Sequence, residues 1–283
     1  MRARHENAGP TANPSGTRRL ATEQYADSSN LAARIRLHQY STAPRRWPAW
    51  LFDQLDLPPR ARILEIGCGS GSFWAENADR VPPGWDLTLS DFSGGMLAET
   101  RRTLSPVPRA FRFLRCNAEA LPFASGTFDA VLAFHMLYHV PDRARALADV
   151  RRVLRPGGRL LATTNGSRHL LELNDLRRRF APDVEHPPQK MLAPFTLENG
   201  GAQIESVFGS VEKRVLDDAL AVPEAEAIVG FLLSLPGNAR EVLRGARLDA
   251  LHRDLREEIV RQGGAIHIGK ESGLFIARAG LGQ

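Results

Sequence analysis

The chain is poor in cysteine, in lysine and in long apolar runs. Two cysteines, Cys68 and Cys116, among 283 residues cannot build a disulfide framework. No Cys/His spacing suggests zinc, so no metal is expected. No apolar run reaches the roughly 20 residues that cross a bilayer. The N-terminal stretch lacks the apolar segment of a secretory signal. These absences lead us to expect a cytoplasmic protein with no membrane partner. The net charge is +5, and almost all the basic residues are arginine. They are scattered. The densest run, Arg177-Arg178-Arg179, falls on an expected helix and reads as a solvated face, so no nucleic-acid partner is expected.

What is present is organised around Ile63-Leu64-Glu65-Ile66-Gly67-Cys68-Gly69-Ser70-Gly71. An apolar run ending in Gly-x-Gly-x-Gly predicts a buried parallel strand, a tight loop and a helix. Glycine lets the backbone turn and lets a ligand approach where a Cβ would clash. The free N–H groups of the following helix would face that ligand. A pyrophosphate loop usually carries Gly-x-Gly-x-x-Gly, but here the third glycine comes early, at Gly71, and Ser72 takes its place. With Glu65 before the turn, this points to a nucleoside without phosphates.

The remaining pattern predicts an α/β fold. Residues 1–18 are polar and rich in Gly and Pro, and read as a flexible tail. Residues 19–58 read as an N-terminal helical cover, with Trp47, Trp50, Leu51, Phe52 and Leu55 at helical spacing before Pro58-Pro59. Trp47 is a candidate to close over a cofactor. Residues 59–166 alternate strands (62–66, 85–90, 110–115, 128–134, 159–164) with helices (from 73, 95–103, 142–153), which implies a parallel sheet covered on both faces. Residues 167–195 read as a lid, with an amphipathic helix over 169–180. Residues 196–283 read as the C-terminal part of the core. Thr196 is a plausible cap for a helix opening at 195, and 211–216 a strand. A helical insert spans 223–262 (helices over 224–235 and 241–262). Ile266–Ile268 and Leu274–Ile276 suggest a closing strand pair or one bulged strand.

Two further positions suit a nucleoside. Asp91 lies 20 residues after Gly71, directly after an apolar strand, where a carboxylate can accept from both ribose hydroxyls. A turn aspartate capping the next helix is the alternative. Phe92 could pack on adenine or in the core. The Asn117 side-chain carbonyl could accept the adenine amino group, with the Ala118 N–H donating to the ring, or it could simply make a turn.

Together, Glu65-x-Gly-x-Gly-x-Gly, Asp91-Phe-Ser-x-x-Met96-Leu97, Asn117-Ala-Glu-x-Leu-Pro-Phe, Phe128-Asp-Ala-Val and Val153-Leu-Arg-Pro-Gly-Gly resemble the class I S-adenosylmethionine-dependent methyltransferases. The branch is the one with the ubiquinone/menaquinone-biosynthesis enzymes and many natural-product methyltransferases. The resemblance covers about residues 60–166. It implies a Rossmann-like seven-stranded, mostly parallel sheet whose last strand is antiparallel. It also implies S-adenosylmethionine as cofactor, S-adenosylhomocysteine as product, Glu65, Gly67 and Gly69 beside the methionine part, and Asp91 at the ribose. The full cofactor-binding set expected is Glu65, Gly67, Cys68, Gly69, Asp91, Phe92, Met96, Asn117, Ala118, Glu119 and His135. One departure is Asn117, where the family usually has Asp; it keeps an acceptor.

For catalysis the candidates are His135, Tyr25 and His139. Position 135 should sit at the carboxyl edge of the sheet, and histidine has a pKa suited to taking a proton near neutrality. His139, four residues on, could share a helix face with it. Tyr25, in the cover, could orient the acceptor or pass a proton; Tyr40 is a weaker version of the same idea. Leu170, Leu171, Leu173, Leu176, Phe180, Met191, Phe231 and Leu232 could line an apolar pocket under the lid. The expected partner is a small, aromatic or heteroaromatic (indolic or phenolic) natural-product-type acceptor, in a secondary-metabolism enzyme that could be a homodimer. The alternatives are an RNA or protein methyltransferase and a non-catalytic S-adenosylmethionine-binding protein. No Asn/Asp-Pro-Pro-Tyr/Phe signature follows the fourth strand, which speaks against a nucleic-acid amino group as acceptor.

Overall fold

A computed structural model describes residues 29–184, 194–235 and 237–280. The expected tail over 1–18, Tyr25 and Met191 lie outside the described residues.

Seven strands form one sheet in the order β3-β2-β1-β4-β5-β7-β6. They are β1 (Arg60–Ile66), β2 (Gly84–Asp91), β3 (Arg112–Arg115), β4 (Phe128–Phe134), β5 (Leu154–Asn165), β6 (Glu212–Val222) and β7 (Ile266–Arg278). β1 runs parallel to both β2 and β4, and β4 parallel to β5. β7 is antiparallel to both β5 and β6. The strand order reverses between β1 and β4, so the chain leaves these two strands in opposite directions and opens a crevice at their carboxyl ends.

Residue parity decides which face each apolar side chain covers. Leu64, Ile66, Val131, Ala133, Leu160, Ala162, Phe275 and Ala277 pack on one face with Leu147 and Val150 of α5 (Arg143–Val153) and Ile204 and Phe208 of α7 (Gly200–Phe208). Their neighbours Ile63, Ala130, Leu132, Leu161, Leu274 and Ile276 pack on the other. There they meet Leu51 of α2 (Trp47–Asp53), Trp74 of α3 (Ser72–Glu76) and Leu97 and Leu104 of α4 (Gly94–Leu104). Near-continuous apolar strands are what burial on both faces requires.

A third apolar cluster stands apart from the sheet faces. It joins Leu37 of α1 (Ser29–Leu37), Leu173 and Leu176 of α6 (Leu171–Phe180), Ile228 and Phe231 of α8 (Ala225–Ser234), and Leu251 and Leu255 of α10 (Gly245–Arg261) to Leu220, Val222, Ile266 and Ile268. α9 (Ala239–Val242) is one turn between α8 and α10. Arg34 of α1 ties to α8 by donating to the Ser234 carbonyl at 2.7 Å.

Several expectations are corrected here. The expected helix over 241–262 is two, α9 and α10. Of the two readings for the closing segment, a strand pair or one bulged strand, residues 266–278 form the single strand. α7 opens at Gly200 after Asn199, not at 195 with Thr196 as cap. Arg177 faces inward, buried, and donates to the Val184 carbonyl at 2.5 Å. Only Arg178 and Arg179 of the basic run carry exposed side chains, paired with Asp175 and Glu258.

Candidate functional site

A cavity of about 1350 Å³ opens at the carboxyl ends of β1, β2, β4 and β5 and continues under α1, α6 and α8. Its walls include Glu65, Gly67, Cys68, Gly69, Asp91, Phe92, Met96, Asn117, Ala118, Glu119, His135 and His139. The sequence separates these residues by up to 74 positions, and the parallel sheet brings their strand ends to one edge.

The glycine loop carries three left-handed residues, Gly67 (φ +68°), Gly69 (φ +57°) and Gly71 (φ +76°), a conformation that L side chains adopt at a cost. Their surroundings differ. A Cβ on Gly67 would lie 2.7 Å from Cβ of Met136, and one on Gly71 2.7 Å from Cγ2 of Thr100. A Cβ on Gly69 would meet nothing within 4 Å, and Gly69 is on the cavity wall. Gly67 and Gly71 therefore serve packing, and Gly69 keeps a face of the loop open. The Cys68 thiol is buried beside the Thr100 hydroxyl, 3.5 Å away, and burial pushes its pKa up. Met96 is buried in the first turn of α4, whose N-terminus is capped by the Ser93 hydroxyl accepting from Met96 N.

Two acids flank the loop. Glu65 is buried and accepts from Trp74 Nε1 at 2.6 Å. Burial raises its pKa to about 7, the indole N–H works against that rise, and Asp91 adds to it. Asp91 accepts from Gly69 N (3.0 Å) and Ser93 N (2.8 Å), one to each carboxylate oxygen. It is thus the turn aspartate and the wall of the cavity at once, because each oxygen keeps a second lone pair. Phe92 stands 48% exposed at the cavity mouth. Asn117 makes the turn: its Oδ1 accepts from Glu119 N and its Nδ2 donates to Glu119 Oε2, both at 3.1 Å. Glu119 in turn accepts from Asp142 N at 2.9 Å, bracing this loop against the start of α5.

His135 follows β4 with φ +50°, left-handed for a non-glycine residue. Its N–H is pinned to Thr163 of β5, at 2.9 Å to the hydroxyl and 3.2 Å to the carbonyl. Residues 137–139 then form one 3-10 turn. His135 and His139 therefore do not share a helix face. Burial lowers the pKa of His135 to about 3 and that of His139 to about 4. The proton affinity that recommended histidine as a base is largely lost in this setting.

The structure adds groups that motif reading does not reach. His38, His169, Lys270, Asn165 and Ser272 line the same cavity. The rings of His38 and His169 are 6.0 Å apart, Trp47 lies 5.7 Å from the His135 ring, and Lys270 Nζ is 5.9 Å from the Trp47 ring. Of the leucines and aromatics expected around a pocket, Leu170, Leu173, Phe231 and Leu232 reach the cavity. Leu176 and Phe180 pack within the third apolar cluster, and Leu171 is exposed. Among the described residues no cluster of His, Cys, Asp or Glu has metal-holding geometry, and no helix is long and apolar enough to cross a membrane.

Comparison with known proteins agrees with this architecture. Residues 64–162 match a family model described as a methyltransferase domain. That segment spans β1 to β5 and carries the glycine loop, Asp91, Asn117 and His135; with the seven-stranded sheet it is a class I, Rossmann-like S-adenosylmethionine-dependent methyltransferase domain. Its sequence is similar to quinone-biosynthesis methyltransferases. The ubiquinone/menaquinone biosynthesis C-methyltransferase UbiE of Pasteurella multocida is 36% identical over 120 residues, covering 41% of this chain and 44% of that protein. The demethylmenaquinone methyltransferase of Beutenbergia cavernae is 38% identical over 117 residues, covering 41% and 46%. The chain thus spans less than half the length of these relatives. Among solved structures, phosphoethanolamine N-methyltransferase 2 of Haemonchus contortus, in complex with phosphomonomethylethanolamine and S-adenosylhomocysteine, shares the fold with a TM-score of 0.56 at 18% identity, over 92% of this chain and 59% of that one.

Proposed function

We propose that the chain is an S-adenosylmethionine-dependent methyltransferase acting on a small hydroxylated aromatic acceptor, a class that includes quinol-type rings. The observation that carries this reading is the open face of Gly69 between Glu65 and Asp91, in a cavity that runs on to His135 and Trp47. The residues fit the cofactor. Gly69 leaves room that any side chain would occupy. The Asp91 carboxylate has lone pairs left for ribose hydroxyls, and Glu65 would lie at the methionine end. S-adenosylmethionine, when bound, supplies a methyl group on a sulfonium. The chain supplies alignment and a dry site: Leu170, Leu173, Phe231 and Leu232 form an apolar wall, and the Trp47 and His135 rings, tilted by 50° to each other, form another. His135, held neutral, orients the acceptor rather than taking its proton. Tyr25 is proposed as a second group that orients the acceptor.

Calorimetry with S-adenosylhomocysteine tests the donor half. Asp91→Ala removes a charged hydrogen-bond partner, a loss of about 1.5–3 kcal/mol, and so should weaken binding roughly 10- to 100-fold. Unchanged affinity would remove Asp91 from the site. Transfer of labelled methyl to a panel of hydroxylated aromatics tests the acceptor half, and a chain that binds the cofactor yet methylates none of them would overturn it.

A further inference from the structure

β7 is longer than its neighbour. β5 ends at Asn165, opposite Ser272, so residues 266–271 of β7 have β6 on one side only. This ribbon runs past the carboxyl edge of the sheet and becomes a wall of the cavity. Its even-numbered residues are buried: Ile266 and Ile268 enter the third apolar cluster, while Lys270 and Ser272 reach the cavity. Lys270 faces Asp218 directly across the two strands, with Nζ 2.5 Å from Oδ2. Both side chains are almost fully buried, at 5% and 1% exposure.

A buried ion pair needs its remaining polar valences satisfied. Asp218 meets that demand, because its other oxygen accepts from the Ser41 hydroxyl at 2.6 Å and from Ala43 N at 3.1 Å. Lys270 does not. It has three N–H groups, and among the described residues Asp218 is its one hydrogen-bond partner. Three donors already hold the carboxylate, so the pair leaves a positive bias on the cavity side. His169 lies close by. Its Nδ1 accepts from Glu271 N at 3.1 Å, so in the neutral ring the proton is on Nε2, which is then a donor. His38, its ring 6.0 Å from that of His169, has its Nδ1 buried without a partner among the described residues.

Resting on the methyltransferase reading above, we propose that Lys270, with the Nε2–H of His169, binds the acceptor through one ionised hydroxyl oxygen, so that a phenol or enol is held as its anion. A single ammonium is a point charge suited to one oxygen, whereas a carboxylate or phosphate calls for the fork of an arginine or several cations. As the acceptor enters, its hydroxyl proton passes to solvent. With that oxygen as nucleophile, an O–CH3 bond would form as the donor's S–CH3 bond breaks, S-adenosylhomocysteine would leave neutral, and no base is needed, in keeping with the weak basicity of the neighbouring histidines.

The test uses the full chain saturated with S-adenosylhomocysteine and 4-nitrophenol as the acceptor probe, at a pH below the phenol's own ionisation midpoint. Saturable binding with appearance of the yellow phenolate absorption is the expected result. 4-Nitrobenzoate should bind at least about tenfold more weakly. The variant Lys270→Met/Asp218→Asn removes both charges, which avoids stranding one of them in the interior. It should lose the phenolate band and bind 4-nitrophenol about tenfold more weakly, while 4-nitroanisole, which cannot ionise, binds both proteins alike. No saturable binding, a bound neutral phenol, preference for the benzoate, or a phenolate band that persists in the double variant each overturns the inference; the wild-type spectrum decides even if the variant does not fold. Calorimetry of S-adenosylhomocysteine comes first. If it fails, the donor reading falls; if it succeeds without phenolate binding, only the Lys270 assignment does.

Discussion

At the scale of single residues, the glycine loop separates two effects that look alike in the sequence. Gly67 and Gly69 share a left-handed backbone, so alanine at either costs about 1–2 kcal/mol of conformational energy. Gly67→Ala also drives a methyl into Met136, adding about 1–3 kcal/mol of overpacking. Gly69→Ala meets open space. Denaturant unfolding should therefore show Gly67→Ala as the less stable protein. Calorimetry should show that Gly69→Ala loses more than about tenfold in S-adenosylhomocysteine affinity, because its new methyl occupies the cavity. Equal effects of the two on both measurements would refute this division. His135 poses a similar problem, since its left-handed φ makes alanine a strained replacement. Asparagine tolerates that conformation. His135→Asn should keep the fold and the cofactor affinity while turnover with the best acceptor falls at least about tenfold; full turnover would remove the imidazole from the mechanism. The loop and Asp91 were legible in the sequence because their chemistry is local, a few residues around one strand end. His169 and Lys270 were not, because what makes them notable is burial and proximity across chain separations of about a hundred residues and more. One compositional hint existed: Lys270 is one of three lysines in a chain whose basic residues are otherwise arginine.

At the scale of elements, β1 and β4 were readable because each carries a nearly unbroken apolar run. The β6–β7 ribbon was not, and the reason is the ion pair it carries. Asp217-Asp218 interrupts the alternation of β6, which reads as ending near residue 216 but continues to Val222. Gly269, Lys270 and Glu271 interrupt β7 in the same way, so its sequence leaves a strand pair and one bulged strand both open. Asp218 and Lys270 are tolerated because each strand supplies the other's counter-charge, a cross-strand fact absent from either segment alone. A second buried charge ties the segment after α2 to the sheet. Arg159 of β5 donates to the carbonyls of Leu55 and Asp56, each at 2.8 Å, just after α2. Arg159→Met leaves both carbonyls without that donor and should cost about 2–4 kcal/mol in denaturant unfolding. Because α2 carries Trp47, S-adenosylhomocysteine affinity should fall with it. A loss below about 0.5 kcal/mol would show that the cover is held by apolar packing alone.

At the scale of the whole molecule, the cavity collects ionisable groups whose shifts oppose one another with pH. Burial holds the histidines down: His38 and His139 near 4, His135 near 3, and His169 well below its ordinary value. The unfolded chain protonates these rings below about 6.5 and the folded chain does not. Their contribution is therefore complete above about 6.5 and is lost progressively as the pH falls towards the folded values. Each pH unit over which one ring holds a proton only when unfolded costs about 1.4 kcal/mol. Glu65 acts in the other direction. Its pKa of about 7 means that the folded chain keeps a proton the unfolded chain releases above about 4.5, so it favours folding at low pH and loses that contribution as the pH rises through 7. Four rings outweigh one carboxyl, and unfolding free energy should fall by several kcal/mol from pH 7 to pH 5. The depressed carboxylates Glu198 and Glu258, both about 2, cannot produce that loss, because they titrate below their own ordinary range and so outside this interval. Glu65→Gln removes the opposing contribution, so its stability should fall more steeply between pH 7 and pH 5 than that of the parent. Guanidinium titrations at pH 7, 6 and 5 on the two proteins separate the cases. A flat profile for the parent would mean that water enters the cavity and restores the histidines to ordinary values, and parallel profiles would mean the same for Glu65.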